Sequence, residues 1–194
     1  MIHRKWFFDS VRASLFGGSL SQGQVDGMNA LLHEADATRM DFRQFAYVLA
    51  TSFHETAQTM APIAEYGKGA GQPYGEPAGP YGQCYYGRGF VQLTWLENYQ
   101  KMQAACGARE TWGGVDIVQN ADGALDLCVA TDVIFYGMVH GTFTGKKLAD
   151  YINAQGTDWY DARKIVNGLD CASTIENYAQ KFHAALTFTQ AQAA

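Results

Sequence analysis

At 194 residues the chain has the length of one ordinary domain with a sizeable core, and 47% hydrophobic against 17% charged residues excludes a disordered polymer. A net charge of −5, with no basic run beyond Lys146-Lys147, argues against nucleic acid or anionic surfaces as partners, since both want a basic face. No apolar stretch reaches the ~18 residues of a membrane span, and the basic start Met1-Ile2-His3-Arg4-Lys5-Trp6 is interrupted by Asp9, Ser10 and Arg12, so neither a transmembrane segment nor a signal peptide is expected.

The predicted elements are mainly helical. Residues 2–16 form an amphipathic helix with Ile2, Trp6, Phe7, Val11 and Leu15 along one stripe, ended by Gly17-Gly18. Ser21 caps a second helix over 22–34, followed by a turn at Asp36–Arg39. Asp41 caps a third, 42–55, whose apolar stripe is Phe42, Phe45, Ala46, Leu49 and Phe53. Glu55 lies off that stripe in the last turn. A long irregular segment follows: residues 62–89 hold all four prolines, eight of the 21 glycines and five of the 11 tyrosines. Connections of such length are usually functional or disordered, and the tyrosines argue against disorder. Short β-pieces are expected near 63–66 and 84–92, with Val91, Leu93 and Trp95 alternating against Gln92 and Thr94.

Further on, helices are predicted over 95–106, from Asn120 to about 139, over 148–152 and over 158–167, with a last one from Ser173 or Thr174 to about 188. The tail Thr189–Ala194 is expected to fray. No repeat or linker divides the chain, so 1–194 is one domain with no separate binding module. Cys84, Cys106, Cys128 and Cys171 form no C-x-x-C pair and are expected as free thiols, with Cys128 in the core.

Several chemistries fail on spacing. His54-Glu55 opens an H-E-x-x-H zinc motif, but position 58 is Gln58, and the other histidines stand at no ligand spacing, so no metal site is expected. Gly67-Lys68-Gly69-Ala70-Gly71 lacks the phosphate-loop pattern, and no nucleophile elbow occurs. Paired carboxylates remain. A carboxylate at a helix C-terminus faces the negative end of the dipole, which favours the protonated form that a general acid needs. Glu55 with Glu65 or Glu76 could cleave a glycosidic bond, one acid protonating the leaving oxygen and the other acting on the opposite side. Gln92 and Thr94 could hold the attacking water and Asn98 could orient an acid, while His54 is more simply a hydrogen-bonding neighbour of Glu55 than a metal ligand.

Three stretches carry a resemblance. Ser52-Phe53-His54-Glu55-Thr56, the run Tyr85-Tyr86-Gly87-Arg88-Gly89-Phe90-Val91-Gln92-Leu93-Thr94 with Asn98-Tyr99, and Ile165-Val166-Asn167-Gly168 together resemble the glycoside hydrolase family 19 chitinases over residues 42–183. The resemblance implies a mainly α, lysozyme-like fold of two lobes, with a small β-hairpin and a sugar cleft between the lobes. It implies an inverting mechanism without cofactor or metal, with Glu55 as general acid and Thr94 holding the water. His54, Tyr86, Gln92, Asn98 and Asn167 are the implied substrate-binding residues. In compact bacterial and phage members the second carboxylate follows the acid closely, which points to Glu65; a plant-like spacing points to Glu76 instead. Arg88 fits an anchoring ion pair better than a substrate contact.

Plant members are secreted and disulfide-bonded, and this chain has neither a signal nor their cysteine framework. It therefore resembles the phage-endolysin and bacterial branch. That implies a monomer made in the host cytoplasm, acting on cell-wall peptidoglycan after a holin opens the membrane. A chitinase is the alternative, and a non-catalytic sugar-binding relative is the competing non-enzyme reading.

Overall fold

The computed structural model describes residues 2–187; the tail expected to fray lies outside them. Among the described residues the chain is mainly helical, with two small antiparallel hairpins. The α-helices are α1 (Arg4–Ser14), α2 (Gln22–Thr38), α3 (Phe42–Glu55), α4 (Leu96–Cys106), α5 (Leu127–His140), α6 (Leu148–Tyr151) and α7 (Ala172–Leu186). Strand β1 (Ile63–Ala64) pairs with β2 (Arg88–Gly89), and β3 (Ile152–Asn153) with β4 (Gly156–Thr157). Among the described residues no helix is long and apolar enough to cross a membrane.

Helix α3 is the axis of the fold. Asp41 caps it as expected, accepting from the Arg43 and Gln44 amides. The sequence suggests one apolar stripe, yet every residue from Phe45 to Phe53 is buried. The helix is enclosed because α7 packs along it and α5 crosses it. Phe53 meets Tyr178 and Phe182 of α7 edge-on at 4.8 and 5.8 Å, and Phe16 beyond α1 at 5.1 Å. Phe45 meets Phe135 of α5 at 6.1 Å. Five phenylalanines and a tyrosine thus join three segments to α3, each such pair adding about 0.5–1.5 kcal/mol beyond its area.

Several expectations are corrected. Helix α2 continues through the predicted turn to Thr38 and stops at Arg39, which is left-handed (φ 52). The predicted helix from Asn120 is two elements: a 3₁₀ turn, Ala121–Leu125, then α5, restarted by Asp126, whose carboxylate accepts from the Cys128 and Val129 amides. That new cap places Cys128 in the exposed first turn rather than the core; all four cysteines are free. Only 161–165 of the predicted 158–167 helix is helical, as a 3₁₀ turn. Trp95, expected to alternate inward with Val91 and Leu93, is instead half exposed at the start of α4. The hairpin β3–β4 was not expected; α3 holds it, with Gln44 donating to the Ile152 carbonyl and Arg43 to that of Asn153.

Gly27, mid-helix in α2, weakens helix propensity but has a packing reason. A Cβ there would lie 1.6 Å from the Met60 carbonyl oxygen, so α2 and the turn after α3 touch backbone to backbone. Gly27→Ala is expected to destabilise by about 2 kcal/mol or more, read by urea denaturation. Gly23→Ala in the same helix, with nothing within 4 Å, is expected to be neutral or slightly stabilising; equal losses at both positions would refute the close-approach argument.

Candidate functional site

The site begins where α3 ends. The Thr56 hydroxyl donates to the Ser52 carbonyl (2.7 Å) and accepts from the Met60 amide (3.1 Å). Between them Ala57, Gln58 and Met60 are all left-handed (φ 48, 69 and 51). Three non-glycine residues in that region within four positions are unusual. The turn is held from outside, by Gln24 donating to the Gln58 carbonyl (3.1 Å) and by the Gly27 contact. It reverses the chain and leaves Glu55 at the rim of a cavity of about 480 Å³.

One wall of that cavity is the stretch 91–98. Its entry is a tight ladder, Ile63 opposite Gly89, Ala64 opposite Arg88, and Arg88 in turn opposite Leu93. Arg88 is buried under it. The guanidinium pairs with Asp122 (2.8 Å), donates to the Cys84 and Tyr86 carbonyls, and lies 3.6 Å from the centre of the Tyr86 ring. Arg88 is therefore an anchor, as expected. Gln92 is left-handed (φ 52), and its amide donates to the Ile63 and Gly89 carbonyls (3.1 and 3.3 Å). The Thr94 hydroxyl donates to the Gln92 carbonyl (2.8 Å) and the Asn98 amide to the Thr94 carbonyl (2.9 Å). Gln92, Thr94 and Asn98 all line the cavity.

The other wall comes from much later in the chain. The Thr144 hydroxyl donates to the Lys164 and Ile165 carbonyls (2.6 and 3.0 Å), tying the loop after α5 to the 3₁₀ turn 161–165. That brings Phe143, Val166 and Asn167 to the cavity. From within the same turn Arg163, only 3% exposed, reaches Glu55: Nη1 donates to Oε1 at 2.7 Å, while Nε donates to the Asp170 carbonyl at 3.0 Å. The Glu55 side chain is 16% exposed.

The loop between β1 and β2 positions Tyr74 and Glu65. It is folded on itself where Gly69 and Gly75 meet; a Cβ on Gly75 would lie 2.0 Å from the Gly69 carbonyl oxygen. Tyr74, fixed by this contact, lines the cavity and meets Trp95 edge-on at 5.2 Å. Its hydroxyl donates to Glu65 Oε1 (3.5 Å), and the Gly87 amide donates to Glu65 Oε2 (3.2 Å). Burial first, then the Glu65 charge, push the Tyr74 phenol above its ordinary value, so at neutral pH it remains a donor. Glu65 thus stands behind Tyr74 rather than in the cavity wall. Glu76 is exposed, and its side chain bonds to none of the described residues.

Of the residues singled out from sequence, Glu55, Gln92, Thr94, Asn98 and Asn167 converge on one cavity. His54 and Tyr86 do not line it; Tyr86 serves the Arg88 anchor. Sequence reasoning missed Arg163, Tyr74, Trp95 and Phe143. Arg163 lies 108 residues from its partner and has no local signature beyond its place just before Ile165-Val166-Asn167-Gly168. No group of His, Cys, Asp and Glu among the described residues could hold a metal ion. A groove of about 700 Å³ beside α1 is larger, but its carboxylate, Asp36, is paired with Arg4 at 2.9 Å and offers no acid pair. No protein-family model and no curated protein matches this chain.

Removing one partner of the buried pair strands the other. Arg163→Ala is expected to cost about 3 kcal/mol in a denaturation experiment. Glu55→Gln, which keeps an acceptor toward Arg163, should cost clearly less. Equal costs would show that the pair does not organise the site.

Proposed function

We propose that the chain is an endo-acting, inverting glycoside hydrolase of the family 19 type, cleaving β-1,4 links of N-acetylated glycans, with peptidoglycan as its substrate. The observation that carries this is the placement of Glu55, held by buried Arg163 at the rim of a polar cavity, with Thr94 and Asn98 lining the same cavity. On this reading the two walls belong to two lobes of a lysozyme-like cleft.

The chemistry follows from which atoms are engaged. Oε1 of Glu55 accepts from Arg163, whereas Oε2 bonds to none of the described residues. Oε2 is then the atom that carries the proton to the glycosidic oxygen. As the carbon–oxygen bond breaks, Glu55 becomes a carboxylate and Arg163 stabilises the new charge. The Thr94 hydroxyl has its proton committed to the Gln92 carbonyl, so its lone pairs remain to accept from a water. That water attacks the anomeric carbon from the opposite face, and its proton passes to Glu65 by way of the Tyr74 hydroxyl, which stands between the cavity and that carboxylate. Glu65 is favoured over Glu76 because two donors fix its carboxylate whereas Glu76 points free. An inverting pair requires the two carboxyl groups roughly 6.5–9.5 Å apart, leaving room for the water.

The test is turnover of purified peptidoglycan and of chitin oligomers by the parent protein, Glu55→Gln, Glu65→Gln and Glu76→Gln, all confirmed folded by circular dichroism. Glu55→Gln should lose at least about 100-fold in kcat. Glu65→Gln should lose activity and Glu76→Gln should retain it. The first-formed reducing end should be the α-anomer by proton NMR. Turnover of chitin without peptidoglycan would make the chain a chitinase. Glycan binding without turnover of either polymer would make it a lectin-like protein and end the mechanism above.

A further inference from the structure

Trp95 lines the cavity, yet the acid–base chemistry has no use for it. It is 49% exposed, against 2% for Trp112. Its backbone is left-handed at φ 75, ψ 133, a conformation that L side chains rarely adopt. The amide donates to the Tyr85 carbonyl (2.8 Å), and the carbonyl accepts from the Asn98 amide (3.0 Å), so the strained residue is clamped. The clamp holds an indole at the cavity with one side packed edge-on against Tyr74. An exposed, rigid aromatic costs little entropy to immobilise further.

We infer that Trp95 is a stacking platform for one pyranose ring of the glycan, and that Tyr74 is a positioning residue linking that platform to Glu65. This inference rests on the glycosidase reading for the identity of the ligand. A pyranose has an apolar C–H face and a polar edge. The cavity offers the matching pair: a flat indole, and around it Glu55, Thr94, Asn98 and Asn167 as polar groups for hydroxyl and acetamido substituents. Tyr74 touches the platform through its ring and Glu65 through its hydroxyl. A sugar seated on Trp95 therefore limits the room in which Tyr74 can move and holds the carboxylate behind it.

The experiment uses the full chain in a Glu55→Gln background, so that N-acetylglucosamine oligomers bind without turnover. Acrylamide quenching weights the signal toward Trp95, since Trp112 is buried and Trp6 and Trp159 are less exposed, and the difference from Trp95→Phe assigns it. Oligomer should protect the quenchable fluorescence, and Trp95→Phe should abolish that protected signal. By calorimetry Trp95→Ala should weaken oligomer binding by about ten-fold. With Glu55 intact, Tyr74→Phe should lower kcat with KM unchanged, because the ring that supports Trp95 remains and only the hydroxyl to Glu65 is lost. Unchanged oligomer affinity in Trp95→Ala overturns the platform, even if the parent protein hydrolyses glycan. Unchanged kcat in Tyr74→Phe overturns the link. Should Trp95→Ala fail to fold, absence of oligomer protection in the parent fluorescence overturns the platform. Failure of the glycosidase reading looks different: the parent cleaves neither polymer, while protection at Trp95 persists.

Discussion

The candidate site depends on one buried cation. An isolated guanidinium at 3% exposure is costly, and Arg163 escapes that cost only by reaching Glu55 at the end of α3 and the Asp170 carbonyl beyond its own turn. The pair therefore fixes where the 161–170 segment lies against α3, and with it Val166 and Asn167 at the cavity. Buried ion pairs are weak evidence for stability, since well-packed apolar residues often do as well. Its value here is positional: one oxygen of a carboxylate that lines the cavity is occupied, and the other bonds to none of the described residues. A helix end alone leaves Glu55 free to rotate into solvent.

The opposite wall is positioned by close backbone contacts as well as by the pair of buried Arg88 with Asp122. Gly27 lets α2 touch the Met60 carbonyl, and the left-handed turn 57–60 that this contact supports redirects the chain into β1. Gly69 against Gly75 closes the long loop so that Tyr74 and Glu65 return toward α4. Each glycine contact removes a side chain to let two backbones meet, and positive-φ residues stand in the cavity wall at Gln92 and Trp95 and in the turn that follows Glu55 at Ala57 and Gln58. Strain of this kind persists only where the surroundings over-determine it, and it clusters at functional positions.

What was legible in advance followed from local rules. Caps at Ser21 and Asp41 placed α2 and α3, because a side chain satisfying orphan amides is a short-range event. The Asp126 cap is equally local, but the apolar periodicity runs continuously across it and masks the break. The apolar stripe of α3 was legible, but its complete enclosure was not: burial of Tyr47, Thr51 and Ser52 depends on α5 and α7, which lie far along the chain. The alternation of Trp95 with Val91 and Leu93 does not predict its exposure, because the positive φ at Trp95 turns its own side chain away from the face those two share.

The sequence by itself determined that this is a mainly helical chain, that α3 ends at Glu55, and that an irregular, tyrosine-rich loop leads to the Gln92–Asn98 stretch. These are properties of neighbouring residues, set by caps, periodicity and turn chemistry. Only the tertiary structure decided that Arg163 faces Glu55, that Glu65 stands behind Tyr74 while Glu76 points to solvent, and that Trp95 is displayed at the cavity. Those relations join segments that share no local pattern, and they arise only when burial of the α3 core brings the ends of distant elements together.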